Sequence, residues 1–253
     1  MVLPNANNNN VINIGIHKFD PTKINMLERH VIFAGKRATG KKTVIRDLLY
    51  KQYMYYGSPT RALFSFYKSS SSMKATDHTF YDDNINIECR TFEFDPEKHF
   101  GELIDLQWEE FRRNNALVVL HDAMTDKISL RSDNFRKVAM HGHLHRIGLW
   151  NSVRYCMDLG TDLRSSVDYV FAFHDSSHVT RKRLWKAYFN IFPTYEQFSE
   201  AFDACTSNYE CMVIDLQAAA KSGKIEHCVF WYRADPNLPH FFLKSQPVPS
   251  MQS

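Results

Sequence analysis

The 253-residue chain has no pair of cysteines at redox or metal-ligating spacing. Its five, Cys89, Cys156, Cys205, Cys211 and Cys228, are scattered. That pattern points to a reducing compartment with buried or neutral thiols. No apolar run reaches about 18 residues, so no membrane-spanning helix is expected. The first ten residues hold Asn5 and Asn7 to Asn10 where a secretory signal needs an apolar stretch, so no such signal is expected. Neither sign of charge dominates. A net charge of +3 permits a nucleic-acid partner without requiring one. No internal repeat is visible. What the chain does have is 44% hydrophobic residues, enough for a sizeable core and too many for wholesale disorder. Its length fits one large α/β domain or two small ones.

One stretch organises the rest. The apolar run Val31-Ile32-Phe33-Ala34 leads into Gly35-Lys36-Arg37-Ala38-Thr39-Gly40-Lys41-Lys42-Thr43. An amphipathic segment, Val44-Ile45-Arg46-Asp47-Leu48-Leu49-Tyr50, comes next. Strand, glycine-bounded loop and helix is the context of a phosphate-binding loop. Its backbone N–H groups and the positive end of the helix would cradle the phosphates of ATP, with Lys41 reaching the outer ones. The spacing Gly35-x4-Gly40-Lys41 fits the Walker A pattern. That pattern next asks for Ser or Thr as a Mg²⁺ ligand. The chain has Lys42 there, and the hydroxyl arrives one residue later, at Thr43. The plainer reading of the same residues is a tight turn before a helix.

Residues 1–10 read as a flexible leader, 11–235 as one P-loop NTPase domain, and 236–253, rich in proline and polar residues, as a mobile tail. Strands are expected over 11–16, 30–34, 61–67, somewhere within 85–94, and over 116–120, 147–155, 169–173, 211–214 and 228–232. Helices are expected over 41–54, from the cap Asp95-Pro96 to about 114, over 131–145, around the basic run Arg181-Lys182-Arg183, and from Pro193-Thr194 to about 205. Residues 69–77 read as a polar connector. Strands alternating with helices predict an α/β domain with a mainly parallel sheet and helices on both faces. Ala116-Leu117-Val118-Val119-Leu120 suits a buried parallel strand and ends in His121-Asp122. An ATPase wants two acids at this point. The first holds Mg²⁺ and the second orients or deprotonates the attacking water. Asp122 takes the second place. His121 takes the first, where an imidazole is a poor substitute for an oxygen donor.

The string Leu117-Val118-Val119-Leu120-His121-Asp122-Ala123-Met124-Thr125-Asp126-Lys127 resembles the Walker B region of the poxvirus-type genome-packaging ATPases of large DNA viruses, in the FtsK/HerA group of P-loop NTPases. Gly35 to Tyr50 resembles their loop and first helix. Ser152-Val153-Arg154-Tyr155 and the stretch Asp162 to Phe171 resemble their sensor strand and the segment after it. Arg181 to Trp185, Phe192 to Tyr195 and Asn208 to Ile214 resemble their C-terminal part. The likeness spans roughly residues 12–215. It implies a RecA-like ATPase core that self-associates into a ring and uses ATP and Mg²⁺ to pull double-stranded DNA into a preformed capsid. The implied partners are capsid or membrane-associated portal proteins, and the implied location is the host cytoplasm (viral factory) or the virion. By the same likeness Lys41 binds phosphate, Asp122 is the catalytic acid, Arg154 occupies the sensor position and Arg164 acts in trans on a neighbour's nucleotide. Thr43 and His121 are left on the metal's side.

The chain departs from that family's pattern at Lys42, at His121, at Arg154 in place of a sensor glutamine, at Ala38 in place of a loop glycine, and at Gly160-Thr161 in place of a proline-rich turn. Two unit charges about 4 Å apart repel by roughly 4 kcal/mol at an effective dielectric near 20, and a dication doubles that. Lys42 and His121 therefore both act against Mg²⁺. Three functions are open: an ATP-driven DNA translocase, a catalytically impaired paralogue serving as a nucleotide- or DNA-binding ring subunit or regulator, and a general nucleotide-dependent DNA-binding protein. Among the remaining signals, His141-Gly142-His143-Leu144-His145 lacks a matching third metal ligand. The run Arg181-Lys182-Arg183 reads as a solvated helix face or a contact to DNA phosphates. The tyrosines of Tyr50 to Tyr56 read as core.

Overall fold

Strands β2 (His30–Ala34), β6 (Ala116–His121), β7 (Ile147–Val153) and β8 (Tyr169–Phe173) are buried at every position. That burial is why their sequences read as continuous apolar runs and not as alternating ones. The computed structural model describes residues 15–66, 85–87, 90–91, 95–110, 113–121, 132–155 and 159–243. The remaining strands are β1 (His17–Lys18), β3 (Arg61–Phe66), β4 (Ile85–Ile87), β5 (Arg90–Thr91), β9 (Cys211–Asp215), β10 (Val229–Tyr232) and β11 (Phe241–Leu243). The helices are α1 (Lys41–Tyr56), α2 (Pro96–Glu109), α3 (Asp133–His141), α4 (Thr161–Arg164), α5 (His178–Tyr188), α6 (Tyr195–Cys205), α7 (Leu216–Ser222) and α8 (Ile225–Cys228).

Nine strands form one sheet in the order β1-β10-β9-β8-β2-β7-β6-β3-β5. From β8 to β5 every neighbouring pair is parallel. β9 runs antiparallel to both β8 and β10. β2 is central, and β7 separates it from β6. Side chains alternate across the sheet. Val31, Phe33, Leu117, Val119, Trp150, Phe171 and Val213 pack with Val44, Ile45, Leu48 and Leu49 of α1. Ile32, Val118, Leu149, Val170 and Met212 pack with the residues of α2, α3, α5 and α6 on the other face. The domain is α/β, mainly parallel and covered on both faces.

Local chemistry sets the element ends. Asp95 caps α2, its Oδ1 accepting from the Glu97 and Lys98 N–H groups at 2.9 and 3.1 Å. Thr194 caps α6 and Ser132 caps α3. α3 ends at His141, and Gly142 after it passes so near β7 that a Cβ there would lie 2.7 Å from the Ile147 carbonyl oxygen. The helix expected over 131–145 is thus a shorter helix followed by a 3-10 turn. The strand expected within 85–94 is two short pieces in different sheets. The described N-terminal strand begins at His17, and most of the expected 11–16 strand, like the 69–77 connector, lies outside the described residues.

One difference has a long-range cause. Residues 236–243, read from sequence as the start of a mobile tail, run back onto the α1 face. β11 pairs in parallel with β4, Phe241 lies against the rings of Tyr50 and Tyr53, and Arg46 Nη2 donates to the carbonyls of Leu238 and Pro239. Tyr55, expected in the core, is 65% exposed because it lies on the outer face of α1. Trp108 is also exposed, and its ring meets the edge of His145.

Candidate functional site

β2 delivers the chain to the edge of the sheet at Ala34. There the Gly35 N–H donates to Val153 O of the neighbouring β7 at 3.1 Å. Gly35 passes so close to β8 that a Cβ on it would meet the Phe173 Cβ at 2.7 Å, so only glycine fits. The loop then closes in two left-handed turns, at Ala38 (φ 61°) and Gly40 (φ 95°). Ala38 adopts a conformation its side chain disfavours. Thr39 Oγ1 donates back to Lys36 O at 2.9 Å. Gly40 is the N-cap of α1, and its carbonyl accepts from Val44 N–H at 3.0 Å.

Lys41 is the first residue of α1 and only 6% exposed. Its ammonium donates to the carbonyl of Gly35 and to that of Val153 at 3.2 Å. The cation is therefore held against the root of the loop. Lys36 Nζ pairs with Asp175 Oδ1 at 2.9 Å, just past the end of β8. Asp175 is itself buried, and its Oδ1 also accepts from Ser177 N–H at 2.7 Å.

Residues 36–43 line an open cavity of about 640 Å³, closed on the far sides by His121 and Tyr209. Four of these side chains are cationic: Lys36, Arg37, Lys41 and Lys42. No carboxylate lines the cavity among the described residues. The first turn of α1 holds no acid, and no side chain caps it. Its N-terminal N–H groups and the positive end of the helix macrodipole thus face the same space as the lysines, an arrangement suited to a polyanion.

His121 ends β6 on the α1 side of the sheet and is 7% exposed. It stands in register with Ser152 of β7, one strand from the loop's root. Thr43 also lines the cavity. The described residues do not fit Mg²⁺. The lining side chains offer an ammonium at 42, an imidazole at 121 and hydroxyls but no carboxylate, a poor donor set for an ion that prefers oxygen. Asp122 lies outside the described residues. Arg154, just beyond β7, is half-buried and does not line the cavity. Arg164, on α4, is also absent from the lining. It donates to Thr161 Oγ1 at 2.9 Å and shares a separate hollow with Arg183 and Lys186. Within the basic run, Arg181 is bound to Asp203 and to Asp175 O, while Lys182 and Arg183 are exposed.

Sequence reasoning passed over two residues of this site, Tyr209 and Asp175. Neither carries a local pattern that marks it. Tyr209 lies in one of the stretches resembling packaging ATPases but has no motif of its own. The thiols of Cys205, Cys211 and Cys228 are buried, and burial raises each one's pKa, that of Cys205 to about 12 and that of Cys228 to about 11. They stay protonated, as the scattered pattern suggested.

No protein-family model matches the chain. An uncharacterised protein of Acanthamoeba polyphaga mimivirus is 25% identical over 228 residues, covering 86% of this chain and 76% of its own. An uncharacterised protein of Invertebrate iridescent virus 3 is 26% identical over 207 residues, covering 81% of this chain and 75% of its own. The genome packaging NTPase B204 of Sulfolobus turreted icosahedral virus 2, solved with ATP-gammaS, superposes with a TM-score of 0.54 at 13% identity, over 88% of this chain and 100% of the other. The B204 DNA-packaging ATPase of Sulfolobus turreted icosahedral virus gives 0.58 at 12% identity over 83% and 99%.

The chain shares its fold with these two proteins. In this P-loop NTPase fold the 35–43 segment is the loop that follows the central strand, and β6 is the strand that ends beside it. No helix among the described residues is long and apolar enough to cross a membrane.

Proposed function

We propose that this chain is a nucleotide-binding subunit of a viral genome-packaging machine. It self-associates into a ring on double-stranded DNA and binds ATP in the 36–43 cavity. One observation carries the reading: four cations and an uncapped helix N-terminus converge on one cavity at the end of the central strand. Packaging NTPases of the same fold, one of them solved with ATP-gammaS, support the assignment to packaging. Capsid or portal proteins complete the assembly, and the viral factory or virion is where it acts.

A second observation favours the impaired form of this function over a fast motor. Lys42 brings its charge to the cavity where a metal-binding hydroxyl is usual, and His121 occupies the acid's place at the end of β6. Both oppose Mg²⁺, so the subunit binds nucleotide without turning it over at motor rates. The residues at issue for catalysis are Asp122, Arg154 and, across a ring interface, Arg164.

Thermal unfolding with ATP tests this directly. At a hundredfold excess over Kd, ligand stabilises by about 2.7 kcal/mol. For a chain of this size that raises Tm by roughly 5–10 °C. The same rise is expected with Mg²⁺ and with chelator, and none in Lys41→Ala. The double variant Lys42→Ser/His121→Asp should gain Mg²⁺-dependent ATPase activity. Motor-like turnover by the unmodified chain, abolished by Lys41→Ala, would refute the impaired reading. Absence of any ATP effect would refute nucleotide binding.

A further inference from the structure

We propose that the ring of Tyr209 is the stacking surface for the base of the nucleotide whose phosphates the 36–43 loop holds. This rests on the nucleotide-binding reading above and adds to it the contact that makes the ligand a nucleotide, not a bare polyphosphate.

Tyr209 is 75% exposed, the most exposed large hydrophobic side chain described. Yet it is not on an outer face. It lines the same cavity as the loop, and its Cδ1 lies 3.9 Å from where a Cβ on Gly40 would be. The ring therefore stands beside the N-cap of α1, in the lining that the cations share. A triphosphate gripped by the lysines and the helix N-terminus would carry its sugar and base outward across this edge. Among the described residues that line the cavity, Tyr209 has the only aromatic hydrocarbon ring.

The backbone presents the ring at a cost. Asn208 (φ 54°) and Tyr209 (φ 61°) are both left-handed. Asparagine visits that region readily, whereas a bulky residue there is an outlier of the kind that gathers at functional sites. The turn is also tied down. Glu210 N–H donates to Ser207 O at 3.0 Å, Thr206 Oγ1 donates to Phe202 O at 2.7 Å, and Cys211 begins β9 in register with Phe173 and Tyr232. The backbone that carries the exposed ring is thus anchored by α6 on one side and the sheet on the other. Every base has a π-face, so such a platform recognises nucleotides as a class.

The test compares ATP with inorganic tripolyphosphate by titration calorimetry on the full chain, with and without Mg²⁺. Tyr209→Asn keeps a residue suited to the left-handed turn and removes the ring. Tyr209→Phe keeps the ring and removes the hydroxyl. Tyr209→Asn should weaken ATP about tenfold, within the range for loss of one stacked base, and leave tripolyphosphate binding unchanged. Tyr209→Phe should bind ATP as the unmodified chain does. The inference is overturned if Tyr209→Asn leaves ATP binding intact, or weakens both ligands equally. It is overturned too if the unmodified chain binds ATP no better than tripolyphosphate. In each of those cases the loop still holds phosphate. If the unmodified chain binds neither ligand, the nucleotide-binding reading itself fails and the stacking role goes with it.

Discussion

Lowering the pH from 7 to 5 should weaken the fold through one side chain, His30. This histidine opens β2, the strand that carries the phosphate loop, and it is buried at the opposite end of that strand. Its Nε2 lies 3.1 Å from Asn151 Nδ2 and its Nδ1 3.3 Å from Ser166 Oγ. The amide donates to Nε2, which leaves Nδ1 to carry the proton toward the serine in a neutral ring. Burial lowers the pKa from 6.5 to about 4. The unfolded chain takes up this proton near pH 6.5 and the native one only near 4. Between those values the unfolded state binds more protons, so stability rises with pH there. Integrating the two titrations gives a loss of about 2 kcal/mol between pH 7 and 5, growing to about 3 kcal/mol by pH 4.

The chain carries eleven further histidines, so the assay is a difference. Urea unfolding free energies are measured at pH 7, 6 and 5 for the unmodified chain and for His30→Gln. The glutamine variant starts lower at pH 7, because it loses a ring from the core. Its decline on acidification should nevertheless be smaller by about 2 kcal/mol, since it carries no proton-accepting group at position 30. Parallel pH profiles would refute the claim that His30 is held neutral by burial.

Ala38→Gly should stabilise the protein. Relief of a left-handed alanine is worth about 1–2 kcal/mol, and the extra freedom of glycine in the unfolded chain returns about 0.4–1 kcal/mol of that. A Tm increase of roughly 1–4 °C is expected, and a decrease would show that φ 61° is not strained here. Gly148→Ala should prevent folding or cost more than about 4 kcal/mol, because its Cβ would lie 1.9 Å from the Leu27 carbonyl oxygen, a backbone atom. Soluble expression with a Tm within about 2 °C of the parent would contradict that geometry. Asp175→Asn should tighten tripolyphosphate binding by up to about fivefold, since Lys36 no longer divides its charge with a carboxylate, while an amide oxygen still accepts from Ser177 N–H. Unchanged or weaker binding would mean that Lys36 serves only to hold the loop.

Much of this fold was legible where burial and local chemistry agree. Continuous apolar runs marked β2, β6 and β8 because parallel strands covered on both faces have no solvent side to alternate with. Asp95-Pro96 marked the start of α2 because the cap is made by the residue itself. The loop was legible because its glycines meet local demands, Gly35 for space beside Phe173 and Gly40 for its positive φ. What was not legible depends on contacts between distant residues. Nothing near Phe241 announces Tyr50 and Tyr53, so a proline-rich segment read as tail. Tyr209 belongs to the cavity only because the end of α6 and the start of β9 meet beside Gly40.

The same division explains why the site is more than its loop. The loop is fastened to the sheet twice through Val153 O, by Gly35 N–H and by Lys41, and once sideways through the ion pair of Lys36 with Asp175. Asp175 also takes the N–H of Ser177, the cap of α5, while its carbonyl takes Arg181 Nε from that helix. Arg181 in turn grips Asp203 and lies over Phe202 of α6, the helix that runs into the Tyr209 turn. An anion arriving among the loop's cations therefore competes with Asp175 for Lys36, at the head of a chain of contacts that reaches the basic face of α5 and the helix leading into the Tyr209 turn. Phosphate loop, basic helix and aromatic turn are one connected body, assembled from segments that sequence reasoning could only take one at a time.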